Sequence, residues 1–339
     1  MIQIREQDWG ALSDGSVVKL FMLTNSKGMM LYVSDYGAII SSLIVPVKEK
    51  LYDVVLGFDS PKDYADSRKL PAFPYFGAIV GRYAGRIKNG EFALNGIQFQ
   101  LPKNNGNNTL HGGIKGFDAV LWKCIEKNNI HNSLSLSYTS NDEEENFPGE
   151  LNVVVKYTLT EENEVHIEYT ATTSEDTIIN LTQHSYFNLD GHEGSINEQT
   201  LQLFSDKLLE IDKENIPSGK IIKAANKGFD FLDERPCPVG IDDSFVIQKQ
   251  QLPAAILRNK KNGLSLTVFT DQPSVHIYTG GNCSGQLKGK DGADYHTRSG
   301  ICFETQHYPD SPNHSNFPST VLKKGDTYHQ KTIWKFSLQ

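Results

Sequence analysis

The chain has 339 residues, of which 38% are hydrophobic and 22% charged, a balance typical of folded globular proteins rather than disordered ones. The formal net charge is −8, and no Lys/Arg block is long enough for a nucleic-acid footprint, so we expect no nucleic-acid partner. The amino terminus lacks an apolar signal region and no apolar stretch is long enough to cross a bilayer, so we expect a cytoplasmic protein without a membrane partner. The widely spaced cysteines, without a CxxC pair, indicate reduced thiols: Cys124, Cys237, Cys283 and Cys302.

One short helix and many strands are predicted along the chain. Ser60-Pro61-Lys62-Asp63 offers an N-cap, a proline at the first helical position and an acid in the first turn, so a short helix is expected before Pro71. Asn95-Gly96 and Asn262-Gly263 predict hairpins with type I′ turns, and Thr160 to Asn163 predicts a third hairpin turn. Period-two alternation predicts strands in the segments 134–138, 151–159, 165–172, 264–269 and 275–279.

These elements predict an all-β protein with few short helices. No other segment sustains a helical period over three turns, and no linker-like break or internal repeat divides the chain. We therefore expect one large, mostly antiparallel β domain over residues 1–339, either a sandwich or a barrel.

The run NLTQHSYFNL, residues 180–189, combines a polar row with an apolar row. If it is a strand, alternation groups the polar side chains on one face: Asn180, Thr182, His184, Tyr186 and Asn188. The opposite face then carries Ile179, Leu181, Phe187 and Leu189, with Gln183 and Ser185 as exceptions. Neutral hydrogen-bonding groups backed by an apolar layer suit the wall of a cavity for a polar, uncharged ligand. A half-exposed strand is the alternative, and the run alone leaves both interpretations open.

Four further segments contain candidate functional residues. Alternation in GICFETQ places Glu304 on one face with Cys302 and Gln306, although a strand-end Glu facing water is the alternative. His111 lies in the glycine-rich segment NNTLHGG, which lacks the pattern of a phosphate-binding P-loop. Arg86 lies in VGRYAGRI, where the glycines favour a loop over a helix face. Asp242 and Asp243 form a paired carboxylate that could also be a turn cap.

Two common kinds of catalytic site lack a sequence signature. None of the ten histidines forms HExxH, HxH or a Cys/His quartet with ligand spacing, so we predict no metal site, although ligands assembled from distant segments stay open. No GxSxG motif occurs, so a Ser-His-Asp nucleophile is not indicated.

Together these segments resemble the aldose 1-epimerase, or galactose mutarotase, family. The family's histidine motif, approximately N-x-T-N-H-x-Y-F-N-L, stands here as NLTQHSYFNL. The segments NNTLHGG, VGRYAGRI, GIDDSF, QPSVHIYTGG, FETQHYPD and a closing FP…L..G..Y follow in the family's order over nearly the whole chain. The resemblance implies a large antiparallel β-sandwich of the galactose mutarotase-like, or supersandwich, type that binds sugar in an open cleft on one sheet.

The resemblance also implies the reaction and the roles of the residues. The enzyme would be a cytoplasmic isomerase, a monomer or homodimer, that interconverts the α and β anomers of free aldoses such as D-galactose and D-glucose without a cofactor or metal. Glu304 would be the base, His184 the acid, and His111 would orient the ring oxygen. The implied substrate-binding residues are Arg86, Asp242, Tyr186 and His276.

The chain departs from the family pattern at four positions. Gly85 stands where many members have Asn, so one contact to sugar is missing or replaced. Gln183 stands for the Asn before the catalytic histidine, and its alternation points it away from His184. Asp243 replaces a His and would add negative charge beside the cleft. His276, where relatives often carry Gln, could bond a sugar hydroxyl or be a satisfied strand histidine.

Three other functions stay open at this point. A hexose-6-phosphate 1-epimerase of the same fold needs a basic cluster for the phosphate, for which the chain offers Arg82, Arg86 and Arg298. A non-catalytic sugar-binding module would keep the fold and lose the chemistry. A two-carboxylate glycosidase would use Glu304 with Asp242 or Asp310.

Overall fold

Alternating apolar and polar residues form the strands that dominate the computed structural model of the chain, which describes residues 3–248, 252–281, 283 and 288–338. The strands of the first half are β1 (Arg5–Ala11), β2 (Val17–Thr24), β3 (Met30–Ser34), β4 (Ile40–Val47), β5 (Lys50–Asp53), β6 (Ile79–Val80), β7 (Arg86–Ile87), β8 (Glu91–Leu94), β9 (Ile97–Gln100), β10 (Thr109–Leu110), β11 (Lys123–Asn128), β12 (Ser133–Ser140), β13 (Leu151–Leu159) and β14 (Glu164–Thr173). Those of the second half are β15 (Thr177–Ile178), β16 (Thr182–Gln183), β17 (Tyr186–Phe187), β18 (Gln199–Leu203), β19 (Lys207–Ile211), β20 (Pro217–Lys223), β21 (Arg235–Pro236), β22 (Asp242–Val246), β23 (Ala255–Asn259), β24 (Leu264–Thr270), β25 (Ser274–Tyr278), β26 (Ile301–Gln306), β27 (Val321–Leu322) and β28 (Thr327–Leu338). Four of the five alternating segments predicted from the sequence lie within β12, β13, β14 and β24, and the fifth, 275–279, extends one residue beyond the end of β25.

The predicted helix is present as α1 (Pro61–Ser67), and within the described ranges it is the one α-helix. The Ser60 hydroxyl accepts a hydrogen bond from the backbone N–H of Asp63 at 3.2 Å, which is the N-cap that the sequence predicts. Short 3₁₀ turns complete the helical content: Lys88–Gly90, Phe117–Ala119, Glu144–Asn146, Ile196–Glu198, Ala224–Lys227, Lys290–Gly292 and Ser311–Asn313. Among the described residues, no helix has the length and apolar character needed to cross a membrane.

Two large antiparallel sheets pack face to face as a β-sandwich. One has nine strands in the order β11-β12-β13-β14-β28-β24-β23-β18-β21, and the other has six in the order β17-β26-β25-β22-β19-β20. A five-stranded sheet of β1 to β5 in sequential order lies beside them. The observed architecture confirms the predicted all-β sandwich with few short helices.

The core between the two large sheets also determines the register of the strands that carry the site. Ile277 and Phe303 from the six-stranded sheet are buried in one cluster with Ile167 and Trp334 from the nine-stranded sheet. Fully burying one such side chain stabilises the fold by about 1.5–3 kcal/mol. A shift of one residue in the strand register would turn these side chains away from the core. Their burial therefore fixes the register and keeps the alternate residues of β25 and β26 on the face that points away from the core.

Two of the three predicted hairpin turns form as expected, and the third has a different geometry. Asn95 and Gly96 both have positive φ, 52° and 78°, in the two-residue loop between β8 and β9. The segment 160–163 joins β13 to β14, as predicted. The second Asn-Gly pair belongs to the four-residue loop 260–263, in which only Gly263 has positive φ, so the predicted type I′ turn is wrong there. The Asn262 side chain instead donates to Leu189 O at 2.7 Å and accepts from Leu264 N–H at 3.0 Å.

The run 180–189 is buried throughout, but it is not one strand. Only 182–183 and 186–187 pair as strands, β16 with β6 and β17 with β26. Three residues of the predicted polar row bond backbone groups instead of facing a ligand. Asn180 bonds Ala84 and His307, Thr182 bonds Thr305, and Asn188 bonds Ser299. The half-exposed interpretation is therefore wrong, and the cavity-wall interpretation holds for His184 and Tyr186 alone.

Candidate active site

A cavity of about 320 Å³ lies on the face of the six-stranded sheet that points away from the sandwich core. All seven site residues that the family resemblance implies line it: Arg86, His111, His184, Tyr186, Asp242, His276 and Glu304. They come from six separate segments of the chain, so the fold, and not any local motif, brings them together.

Three neighbouring strands form the floor of the cavity. In the antiparallel register His276 of β25 lies directly opposite Glu304 of β26 and Ser244 of β22. Two residues further along β25, Tyr278 lies opposite Asp242 of β22. Residues directly opposite in a ladder share a face, so the register alone gathers these side chains. Cys302 and Gln306 lie on the same face as Glu304, as alternation predicted.

His184 occupies the break between β16 and β17 and is held on several sides. Its backbone N–H donates to Ala78 O at 2.9 Å, and its carbonyl accepts from Gly77 N–H at 3.0 Å. Its ring stacks on Tyr186 with centroids 5.1 Å apart and on Tyr75 at 5.8 Å. Such packing restricts the ring to one orientation, which a proton-transfer group requires.

The central feature of the cavity is the pair formed by His184 and Glu304. Oε1 of Glu304 lies 3.6 Å from Nε2 of His184, and the two side chains are only 3% and 4% exposed. On the other edge of the ring, Nδ1 lies 3.6 Å from Sγ of Cys302. A separation of 3.6 Å is too long for a nitrogen–oxygen hydrogen bond, so both groups remain able to bond a ligand placed between them.

His111 lies directly after β10 in a tight turn. Its own φ is 52°, and its Nδ1 accepts a hydrogen bond from Gly85 N–H at 3.2 Å. At the next residue, Gly112, a Cβ would lie 2.0 Å from the carbonyl oxygen of Gly81, so only glycine fits. The glycines noted in the sequence therefore allow close backbone packing that brings His111 to within 5.4 Å of the His184 ring centroid.

Burial keeps the imidazole of His111 neutral. Desolvation, followed by electrostatic interactions with His184, Arg86 and His276, holds the pKa of His111 well below its usual value of 6.5. A neutral imidazole carries one proton, and Nδ1 already accepts the Gly85 N–H, so the proton lies on Nε2. His111 is therefore a hydrogen-bond donor and poorly suited to deliver a proton at neutral pH.

Asp242 and His276 form a second buried pair. Nε2 of His276 lies 2.8 Å from Asp242 Oδ1, and its Nδ1 lies 2.9 Å from the Ser244 hydroxyl. Burial lowers the pKa of His276, but the bond to Asp242 and the nearby carboxylates outweigh it, and the net pKa is raised. Burial raises the pKa of Asp242, but the bond to His276 outweighs it, and the net pKa is lowered. Both ring nitrogens of His276 are thus engaged by protein groups, which supports the interpretation of His276 as a satisfied strand histidine.

Arg86 is the one Lys or Arg side chain among the described residues that line the cavity. Its Nε donates to Oδ1 of Asn105 at 3.1 Å. Arg82 is turned away, is only 2% exposed, and donates to the carbonyls of Pro148 and Gly149 at 2.9 and 2.8 Å. Arg298 is directed to the carbonyl of Cys237. The three arginines considered from the sequence therefore do not form a basic cluster.

The cavity also contains a set of donors of the kind that bind metal ions. Donor atoms of His111, His184 and Glu304 lie within 4.8 Å of one another, and two imidazoles with one carboxylate suit a first-row divalent cation. These residues come from distant segments, so no spacing motif could have indicated the cluster. The prediction that the protein needs no metal is not tested by this geometry.

Comparison with known proteins gives the family. The sequence model described as "Aldose 1-epimerase" matches residues 19–335. The chain belongs to the aldose 1-epimerase family. It is 38% identical over 354 aligned residues to a galactose mutarotase of Bos taurus, covering 100% of both chains, and 38% identical over 343 to an aldose 1-epimerase of Haemophilus influenzae, covering 95% of this chain and 97% of that one. The crystal structure of galactose 1-epimerase from Lactobacillus acidophilus superposes with a TM-score of 0.87 at 26% identity, over 100% of this chain and 99% of that one. The crystal structure of a GalM/aldose epimerase homologue from C. elegans superposes with a TM-score of 0.85 at 30% identity. The superposition covers 94% of this chain and 98% of that one.

The structure explains two of this epimerase's departures from the family pattern. The Gln183 carboxamide donates to Gly77 O at 2.7 Å and accepts from Ser185 N–H at 2.7 Å, so it braces the backbone around His184. Its role is structural, as its alternation suggested. Asp243 does not line the cavity and is ion-paired with Lys227, so the expected extra negative charge beside the cleft is wrong. Alternation along β22 points Asp243 away from Asp242.

The other two departures both concern groups lining the cavity. Gly85 lines it without a side chain, and a Cβ there would lie 2.9 Å from Pro309. An asparagine would require Pro309 to move. His276 occupies the position where relatives often carry Gln, but Asp242 and Ser244 hold both its nitrogens.

Sequence reasoning missed several residues that line the cavity. Ser244 and Tyr278 share a face with Asp242, His276 and Glu304, so strand alternation could have indicated them. Five more carry no comparable signal, because they lie outside the strands: Phe73, Tyr75, Asn104, Asn105 and Asn215.

Proposed function

We propose that this chain is an aldose 1-epimerase that interconverts the α and β anomers of free aldoses such as D-galactose and D-glucose by acid–base ring opening. The observation that carries the proposal is the buried pair of His184 and Glu304 in a cavity of about 320 Å³. The relatives named galactose mutarotase and aldose 1-epimerase, which align with 100% and 95% of this chain, support it.

Two proton transfers open the sugar ring. Glu304 takes the proton of the C1 hydroxyl, the bond between C1 and the ring oxygen breaks, and its electron pair passes to the ring oxygen. His184 then gives that oxygen a proton, which leaves the open-chain aldehyde. Rotation about C1–C2 presents the other face of the aldehyde, and the two groups exchange roles as the ring closes. Each positioned proton transfer contributes about 10²–10⁴-fold to the rate.

The remaining residues position the sugar. His111 donates its Nε2 proton to the ring oxygen and so orients that atom toward His184. Asp242, whose pKa is lowered by its bond to His276 despite burial, stays ionised at neutral pH and accepts from a sugar hydroxyl. Arg86 donates to hydroxyls from the other side of the cavity, and Tyr186 lines it.

The alternatives find less support in the same geometry. A hexose 6-phosphate needs several cations, and Arg86 is the one Lys or Arg lining the cavity in the described part of the chain. A glycosidase using Asp310 is disfavoured, because that carboxylate accepts from Lys88 N–H at 2.9 Å and Asn313 at 2.7 Å and does not line the cavity. A module without chemistry would have no need of two buried titratable groups 3.6 Å apart.

Polarimetry on freshly dissolved α-D-galactose tests the proposal directly. The protein is expected to accelerate the approach to the anomeric equilibrium over the buffer rate, and an unchanged rate would refute the proposal. A thermal-shift comparison separates the sugar classes. Galactose is expected to raise the melting temperature more than galactose 6-phosphate, and the reverse order would favour the phosphorylated substrate.

The organisation of the protein around this site is also proposed here. Residues 1–339 would form one domain, supported by a core cluster with members from Ile4 to Phe336. A cytoplasmic location and a monomeric or homodimeric state stay predictions, which fractionation and light scattering would test.

A further inference from the structure

Four carboxamide side chains line the cavity, and three of them are committed to protein partners. Asn104 donates to the carbonyls of Leu110 and Gly113 at 2.9 and 2.7 Å. Asn105 holds the Nε of Arg86 at 3.1 Å, and Asn215 donates to Asp242 at 2.8 Å. These three amides therefore serve to shape the cavity wall.

The fourth carboxamide, Gln306, is different. Its side chain is only 1% exposed, it lines the cavity, and its Oε1 is buried without a hydrogen-bond partner among the described residues. A buried polar atom without a partner destabilises the folded protein. The side chain follows Glu304 by two positions on β26, so it lies on the same face, next to the group that would act as the base.

The neighbouring histidine cannot supply this hydrogen-bonding function without breaking existing bonds. His276 lies opposite Glu304, but Asp242 and Ser244 engage both its nitrogens at 2.8 and 2.9 Å. On the other side, Gly85 provides no side chain. Gln306 thus offers the cavity a neutral acceptor, Oε1, which has no partner among the described residues and to which a sugar hydroxyl can donate.

We propose that Gln306 is a further substrate-binding residue, whose Oε1 accepts a hydrogen bond from one hydroxyl of the bound aldose. This inference rests on the proposed function for the identity of the ligand. The bound sugar then supplies the hydrogen bond that Oε1 lacks. The contact therefore contributes to affinity and favours aldoses that carry the matching hydroxyl.

Gln306→Met tests the contact, because methionine keeps the length of the side chain and removes its polar atoms. The KM for galactose is expected to rise at least 10-fold, about 1.4 kcal/mol, with little change in kcat. Without sugar, the melting temperature is expected to stay the same or rise, because an unsatisfied buried group has been removed. A lower melting temperature without sugar, or an unchanged KM, would overturn the proposal.

Gln330→Met is the matched control. Gln330 is also buried, but its Nε2 donates to Thr305 O at 2.9 Å, so its carboxamide has a structural partner. This variant is expected to lower the melting temperature and leave the KM unchanged. Equal effects of the two variants on KM would mean that Gln306 has no special role.

Singly deoxygenated galactoses identify the hydroxyl and separate this inference from the proposed function. One of the 2-, 3-, 4- and 6-deoxy sugars is expected to bind wild type and Gln306→Met equally, while the others still distinguish them. If every sugar distinguishes the two proteins to the same degree, the contact is absent. If wild type shows no mutarotation, the proposed function fails, and the galactose-induced thermal shift of the two proteins still decides the role of Gln306.

Discussion

Replacing Glu304 with Gln removes the proposed base while preserving the shape of the site. The carboxylate is 3% exposed and lies 3.6 Å from Nε2 of His184, so a glutamine of nearly the same volume fits the same space. It cannot take the proton of the C1 hydroxyl. Loss of one positioned proton transfer corresponds to about 10²–10⁴-fold in rate, or about 2.7–5.4 kcal/mol in the barrier. We therefore expect kcat to fall by at least about 10²-fold with the protein still folded.

The assay is the polarimetric decay of α-D-galactose over a range of pH, with the melting temperature followed by circular dichroism. Wild type is expected to show a bell-shaped profile, because one group must be ionised and another protonated. Glu168→Gln is the matched control, since Glu168 lies on β14 of the other sheet, pairs with Lys331 and does not line the cavity. A near-normal rate in Glu304→Gln would refute the assignment of the base.

The remaining predictions concern the acid, the pH dependence of stability and a buried cation. His184→Asn is expected to lower kcat by at least about 10²-fold, and polarimetry showing a rate close to wild type would contradict its role as the acid. The pKa of His111 is depressed below 6.5 in the folded protein, so the unfolded state binds more protons and stability falls as the pH drops through the region below about 6.5. Urea unfolding of His111→Gln should show less of this loss between neutral pH and pH about 5, and an identical slope would count against a depressed pKa. Arg82→Met leaves the carbonyls of Pro148 and Gly149 and the Ser140 hydroxyl without their donor, and at about 1–3 kcal/mol each we expect a loss of at least about 3 kcal/mol in urea unfolding. A loss below about 1 kcal/mol would mean that other donors replace the guanidinium.

The strand pattern and the facing of its side chains are determined by the sequence alone. Alternation in β26 places Glu304 with Gln306 and against Phe303, because a strand projects successive side chains to opposite faces. Asn95-Gly96 and the Ser60 cap are likewise local, since positive φ angles and a hydroxyl near free N–H groups act over a few residues. These features depend on neighbouring residues and were correctly predicted.

The partners of each cavity residue were decided only by the tertiary structure. His276 is bound by Asp242 and Ser244, and Asp243 by Lys227, through pairings between segments that no local pattern describes. The predicted strand over 180–189 is broken at His184, because contacts with Gly77 and Ala78 compete with the sheet for its backbone. Alternation states which way a side chain points, but hydrogen bonding to residues distant in sequence decides whether it remains available to a ligand.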